Sequence, residues 1–162
     1  MAVKIKNRHR LKERDVKELI ADLKTRFKGD FFDEKIAVDI GNVEEFTVIV
    51  VNDSIDFMMH NNKVVFTLQG VMKYQPKTNY VIVDMGAVVF ITKGADVMAP
   101  GITDVDPMIQ KDDLVWICDE KHRKPLAVGV ALMNGEEMKT KKPGKAVKTI
   151  HYVGDRLWML TH

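Results

Sequence analysis

Apolar positions near the start of the chain recur with the period of an α-helix. Val16, Leu19, Ile20, Leu23 and Phe27 fall on one stripe of a helix with 3.6 residues per turn. Gly29 and Asp30 follow this stripe, and both are typical of the residues that end a helix. The pattern predicts an amphipathic helix with one buried face.

From Ile36 the apolar positions alternate with a period of two, which is typical of β-strands. The predicted strands are Ile36–Ile40, Phe46–Val51, Ile55–Met59 and Val64–Leu68. The pairs between them are Gly41-Asn42, Asn52-Asp53 and Asn61-Asn62, all of which favour tight turns. This half of the chain is therefore predicted to form a small antiparallel sheet packed against the first helix.

The segment from Lys73 to Lys77 breaks the alternation, and we place a domain boundary there. The strands predicted after it are Asn79–Asp84, Ala87–Ile91, Leu114–Cys118, Leu126–Val130, Val147–Val153 and Leu157–Leu160. Thr92–Ile102 is predicted as a glycine turn, one helical turn and a Pro-Gly stop, and Gly135–Met138 as a short helix. Many short strands with brief helices predict a small β-barrel.

The composition is that of a folded protein, with 46% apolar and 30% charged residues among 162. The apolar runs have strand length and fall far short of the ~20 residues that cross a bilayer. No secretory leader is visible, and Cys118 is the only cysteine, which favours a reducing compartment. We expect a soluble cytoplasmic protein that makes no membrane contact.

The charge is unevenly distributed along the chain. Residues 1–30 carry a net +5, residues 31–120 a net −9 and residues 121–162 a net +6. On the first helix, Arg10, Arg14, Lys17, Lys24 and Lys28 project along one flank. These cations form either a solvated helix face or a rail that follows a phosphate backbone.

The segment Lys93–Ile102, placed after a strand, resembles the signature of the PUA domain, a small pseudo-barrel that binds structured RNA. Further segments match the family in the same order, namely Lys111–Val115, Ala127–Val130 and Gly135–Met138. Thr149–Trp158 is similar to the ending of the PUA proteins named for malignant T-cell amplification and of ligatin. Asp112 departs from this pattern, since the family more often has glycine there.

The resemblance implies an α+β protein of two domains. Residues 1–75 would form a pre-PUA domain, in which the N-terminal helix packs on a small antiparallel sheet. Residues 76–162 would form a PUA-type β pseudo-barrel with short helices. The implied function is that of an RNA-binding accessory protein of translation, which contacts the acceptor end of tRNA or small-subunit rRNA in initiation, reinitiation or recycling. The implied partners are this RNA, the small ribosomal subunit and, because relatives carry an initiation-factor-like segment, a separate protein of that kind.

Physical reasoning assigns roles to residues of the matched segments. Gly94 permits close backbone approach and would free amides at the start of a helical turn, while Lys93 adds a positive charge. Met98 and Pro100 offer an apolar shelf, and His151, Tyr152 and Trp158 offer flat faces for unpaired bases. The candidate RNA-binding residues are Lys93, Gly94, Ala95, Met98, Pro100, Gly101, Lys145, Lys148, His151, Tyr152 and Arg156. Two interpretations apply to the other cations of the C-terminal part, which form either a track that binds phosphates or solvated loops. These cations are Lys121, Arg123, Lys124, Lys141 and Lys142, together with Lys145 and Lys148.

Purely structural roles compete with several of these assignments. Tyr152 and Trp158 would also serve to close the barrel, and Gly94, Pro100 and Gly101 would also serve only the turn. No zinc-ligand spacing, nucleotide-binding loop or activated nucleophile is visible, so we expect no metal, no cofactor and no catalysis. The alternative function is a protein-interaction scaffold whose acidic middle recruits a partner and whose RNA affinity is nonspecific.

Overall fold

The computed structural model describes residues 3–140 and 143–162. By its internal contacts the chain divides into two compact units, one of residues 1–77 with 160–162 and one of Thr78–Met159. Each unit contains its own sheet. The candidate residues Lys141 and Lys142 lie outside the described part of the chain.

The first unit is a five-stranded antiparallel sheet with two helices. The strands are β1 (Lys6–Arg10), β2 (Val38–Val43), β3 (Phe46–Val51), β4 (Ser54–His60) and β5 (Lys63–Phe66), and they pair in chain order. The helices are α1 (Glu13–Phe27) and α2 (Leu68–Tyr74). The predicted helix is confirmed, with Val16, Leu19, Leu23 and Phe27 buried. Phe27 contacts Phe66 of β5 at 4.8 Å between ring centroids, which places α1 on the sheet as expected.

Three features of this unit differ from the sequence prediction. The Gly41-Asn42 turn is wrong, because both residues lie inside β2. A Cβ on Gly41 would lie 2.6 Å from Ile5 Cγ2, so the glycine makes room for the segment that leads into β1, a strand the pattern did not indicate. The strand predicted over Val64–Leu68 ends at Phe66, because Thr67 accepts a hydrogen bond from Gly70 N and starts α2.

The second unit is a six-stranded, nearly closed pseudo-barrel. Its strands are β6 (Tyr80–Val83), β7 (Val97–Met98), β8 (Ile102–Val105), β9 (Leu114–Asp119), β10 (Pro125–Ala131) and β11 (Lys145–Tyr152). They lie in the order β7-β11-β10-β9-β6-β8, and β6 and β9 run parallel. Its helices are α3 (Met85–Ile91), a 3₁₀ turn at Ala99–Gly101 and α4 (Gly135–Lys139), and α5 (Arg156–Thr161) begins in this unit. The expected α+β class and pseudo-barrel are confirmed.

Two predicted strands of this unit are helices. Ala87–Ile91 belongs to α3, because the Asp84 carboxylate accepts a hydrogen bond from Ala87 N at 2.8 Å and caps the helix. Leu157–Leu160 belongs to α5, where Asp155 accepts a hydrogen bond from Trp158 N at 2.8 Å. An apolar run of four or five residues is compatible with either a strand or a helix. In both places the aspartate before the run favours the helix, because it accepts a backbone hydrogen bond from the first turn.

Candidate nucleic-acid interface

The turn Lys93–Asp96 begins where α3 ends. The amides of Lys93 and Ala95 donate to Phe90 O at 3.0 and 3.1 Å, and the amide of Gly94 donates to Ile91 O at 3.0 Å. These three amides close the C-terminal end of α3 rather than opening a helix. The expectation that Gly94 frees amides for a phosphate is therefore wrong, and the side chain of Lys93 is exposed.

Gly94 packs against the ring of Tyr152. Its φ of +92° lies in the region that favours glycine, and a Cβ there would lie 2.9 Å from Tyr152 Cζ. Tyr152 ends β11 and packs against the barrel core. The ring thus packs against the turn as well as against the barrel core, whereas the structural role that the sequence left open for Tyr152 was only to close the barrel.

Hydrogen bonds and one ion pair connect the rest of the turn to β11. Thr149 donates through its hydroxyl to Ala95 O at 2.9 Å and through its amide to Asp96 Oδ1 at 3.0 Å. Lys145 Nζ lies 3.3 Å from Asp96 Oδ2, so this candidate cation is paired. Lys148 is exposed and, within residues 3–140 and 143–162, forms no ion pair.

The chain then returns alongside α3. Met98 is 47% exposed and lies opposite Lys145 on β11, and Pro100 is exposed. Gly101 O accepts a hydrogen bond from Asp84 N at 2.9 Å, and a Cβ on Gly101 would lie 3.3 Å from Ala87 Cβ. The segment Lys93–Gly101 therefore contacts α3 at both ends of the helix.

His151 is buried, with 3% of its surface exposed. Its Nδ1 lies 2.8 Å from Asp155 Oδ2, and Asp155 also accepts the amides of Tyr152 and Trp158. Burial raises the pKa of Asp155, but the hydrogen bonds from His151 and the two amides outweigh it and lower the pKa below its usual value. The His151 ring is thus part of the joint between β11 and α5, not a surface for a base. Arg156 is exposed at the start of α5.

The pattern analysis missed three exposed apolar residues on α3. Met85 is 41%, Val89 is 54% and Phe90 is 64% exposed. The sequence pattern did not identify them because it predicted this segment as a barrel strand, in which apolar side chains would be buried. The signal that could have found them is Asp84, an N-cap residue directly before the run. Exposed apolar side chains on one short helix make α3 a candidate surface for a partner.

Two observations on the described residues concern nucleophilic chemistry and metal binding. Burial raises the pKa of the Cys118 thiol to about 11, so the thiol stays protonated at neutral pH. Residues 3–140 and 143–162 hold no group of three His, Cys, Asp or Glu side chains arranged to bind a metal. None of the helices in this part of the chain is long and apolar enough to span a bilayer.

Comparison with known proteins places the chain in a family. The PUA domain model matches residues 79–153, which contain α3, the turn and β11. An uncharacterised protein of Methanocaldococcus jannaschii is 42% identical over 96% of this chain and 98% of its own length. Translation machinery-associated protein 20 of Eremothecium gossypii is 31% identical over 71% of this chain and 67% of its own length. The chain belongs to the PUA-domain family of translation machinery-associated protein 20.

The resemblance to the family named for malignant T-cell amplification is also confirmed. Malignant T-cell-amplified sequence 1 of Rattus norvegicus is 30% identical over 71% of this chain and 65% of its own length. The crystal structure of a hypothetical protein from Pyrococcus horikoshii has a TM-score of 0.87 and 37% identity, and it covers 96% of this chain and 99% of that one. The PUA-domain match and the names of these relatives support an RNA-binding role associated with translation.

Proposed function

We propose that this protein is a non-catalytic RNA-binding accessory factor of translation. It would contact the acceptor end of tRNA or small-subunit rRNA during initiation, reinitiation or recycling, in the cytoplasm. In this proposal residues 1–75 form a pre-PUA domain and residues 76–162 a PUA domain. The small ribosomal subunit and a separate initiation-factor-like protein are the proposed partners.

The observation that carries the proposal is the surface that α3 and the following turn form within the PUA match. It places an exposed aromatic ring, Phe90, three residues before an exposed cation, Lys93. Unpaired RNA bases stack on such rings while lysines neutralise the adjoining phosphates. A surface of this kind favours an unpaired RNA end over a uniform duplex.

Roles within the surface follow from exposure and pairing. Lys93 and Lys148 would meet phosphates because both are exposed and neither forms an ion pair in the described residues. Phe90, Met98 and Pro100 would meet bases or sugars. Gly94, Ala95, Gly101, Tyr152 and His151 would hold the surface in shape, and Lys145 and Arg156 would lie at its margin.

A charge-reversal experiment tests this proposal. Lys93→Glu/Lys148→Glu should weaken binding to tRNA and to a small-subunit rRNA fragment, because two phosphate contacts become repulsive. The matched control is Lys111→Glu/Lys139→Glu, which makes the same charge change at two exposed lysines. Thermal unfolding of both variants should stay near that of the parent protein.

Equal losses in the two variants would contradict the proposal. RNA binding would then be general charge attraction, and the scaffold function would be the better explanation. A pull-down on ribosomal subunits, with the same two variants, would separate loss of RNA contact from loss of a protein partner.

A further inference from the structure

The sequence contains one Asn-Gly pair, Asn134-Gly135, where α4 begins. Asparagine followed by glycine is the pair most prone to deamidation, because glycine has no side chain to shield its amide nitrogen. In this reaction the glycine nitrogen loses its proton and attacks the side-chain carbonyl carbon of the asparagine, and ammonia leaves. Water then opens the resulting succinimide ring, to aspartate at one carbonyl and to isoaspartate at the other.

The fold engages both groups that this reaction needs. Asn134 Oδ1 accepts a hydrogen bond from Glu137 N at 2.8 Å, and Glu137 Oε1 accepts one from Asn134 N at 3.2 Å, which is a capping box. The nucleophile, Gly135 N, donates to Ile109 O at 2.8 Å, and Gly135 is buried. This hydrogen bond opposes loss of the amide proton, and the capping box holds the side chain toward α4. The pair is therefore protected in the folded chain.

Packing explains why a glycine stands at position 135. A Cβ there would lie 2.5 Å from Asp106 O and 2.9 Å from Pro107 C. Both are backbone atoms, so a change of side-chain rotamer would not relieve the clash. Asn134 is in turn a favourable N-cap residue, with a φ of −80° and a ψ of 169°. The fold thus favours two residue types whose combination is reactive once the chain unfolds.

The protection depends on the docking of α4. The helix has five residues, which is too short to persist without tertiary contacts. Its contacts are those of Met138, which is fully buried in the barrel core, and the hydrogen bond from Gly135 N to Ile109 O. Local unfolding of a short element requires less free energy than unfolding of the whole domain. Such an opening releases the Asn134 side chain and Gly135 N together.

We propose that Asn134-Gly135 is a modification site, at which deamidation occurs when α4 unfolds locally. The isoaspartate product routes the main chain through Cβ and so adds a methylene before Gly135. Because Gly135 has no spare room against Asp106 and Pro107, this product prevents α4 from docking again and removes Met138 from the core. The aspartate product keeps an N-cap oxygen and permits docking. Deamidation therefore makes a fraction of the openings of α4 irreversible.

The test follows deamidation of the purified protein at mildly alkaline pH, with and without urea, by mass spectrometry of the peptide that contains Asn134. The parent protein should react at least about 10-fold more slowly without urea, because the capping box and the docked helix must open first. Glu137→Ala removes one hydrogen bond of the capping box, so its rate without urea should rise about 2- to 10-fold. In urea the two proteins should react at the same rate.

Two controls separate local from general effects. Asp84→Ala removes the N-cap hydrogen bond of α3 in the same unit, and its deamidation rate without urea should match that of the parent protein. Asn134→Ser keeps a capping oxygen but has no side-chain amide. After incubation in urea, the fraction of this variant that refolds should stay constant, whereas that of the parent protein should fall as isoaspartate accumulates.

The inference is overturned if the parent protein deamidates at Asn134 equally fast with and without urea, or if it stays unmodified in urea. It is also overturned if Glu137→Ala reacts no faster than Asp84→Ala without urea, since the capping box would then give no protection. Complete refolding of the isoaspartate form would contradict the proposed effect on the docking of α4.

Discussion

At the scale of single residues, substitution of Gly94 tests most directly whether the Tyr152 ring supports the turn Lys93–Asp96. Gly94→Ala combines a φ of +92° with a Cβ only 2.9 Å from the Tyr152 ring, so either the turn or the ring must shift. We expect a loss of about 1–3 kcal/mol in the free energy of unfolding. Chemical denaturation of the purified variant measures it.

The chain supplies a matched control for this change. Gly154 has a φ of +91°, but a Cβ there would meet nothing within 4 Å. Gly154→Ala therefore carries the same backbone strain without the contact with the ring, and it should destabilise less. If both variants lose the same stability, then Tyr152 does not support the turn and the backbone conformation alone explains the glycine.

Asp155 predicts a specific pH dependence. Because its pKa is lowered in the folded state, its contribution to stability is present above the usual carboxyl pKa near 4 and is lost as the pH falls through the folded value. Asp155→Asn should therefore be less stable at pH 7 and show a weaker loss of stability below pH 4, by thermal unfolding. Asp112→Asn, at an exposed acid that also has positive φ, is the matched control for the change from a carboxylate to an amide. An Asp155→Asn profile parallel to that of the parent protein would contradict the assignment.

At the scale of elements, α3 is expected to act as a platform for bases. Phe90→Ala should weaken binding of an unpaired RNA end by about 5- to 150-fold, the equivalent of about 1–3 kcal/mol for one stacked base. Stability should change little, because the ring is 64% exposed. Titration of labelled oligonucleotide measures the loss.

Met108→Ala is the control for α3, since Met108 is 76% exposed in the loop between β8 and β9. Its affinity should match that of the parent protein. Equal affinities of the two alanine variants would remove α3 from the interface.

The same element shows where sequence patterns suffice and where they do not. The stripe from Val16 to Phe27 spans about three turns, so its period is unambiguous and α1 follows from it. The run from Ala87 to Ile91 is too short to distinguish a strand from a helix, and the decision rests on one hydrogen bond that the Asp84 carboxylate accepts from Ala87 N. The turns at Asn52-Asp53 and Asn61-Asn62 have the positive φ that their residue types predicted.

The candidate site was found through its family motif, but its internal geometry was not predictable. The sequence identifies Gly94 and Tyr152, yet nothing in it says that the first rests on the second. It likewise does not indicate that His151 faces Asp155 inside the unit, because the alternation along β11 shifts at a bulge opposite Val128 and Gly129. Contacts between distant strands decide the roles of these residues.

At the scale of the whole molecule, charge pairing distinguishes the two basic surfaces. The flank of α1 that was a candidate phosphate rail is largely neutralised, with Lys17 3.3 Å from Glu13 and Lys24 3.5 Å from Asp30. Arg10 lies in β1, not in the helix, and pairs with Asp39. Lys93 and Lys148 carry no such pairs in the described residues, so we expect RNA to meet the PUA domain first.

The most direct test of the central claim is binding of labelled tRNA with and without its single-stranded acceptor end, at several salt concentrations. Specific recognition through α3 and its turn predicts a preference for the intact end that persists at physiological salt, since base stacking depends little on counterions. Equal binding of both tRNAs that disappears together as salt rises would contradict recognition of an unpaired end by this surface.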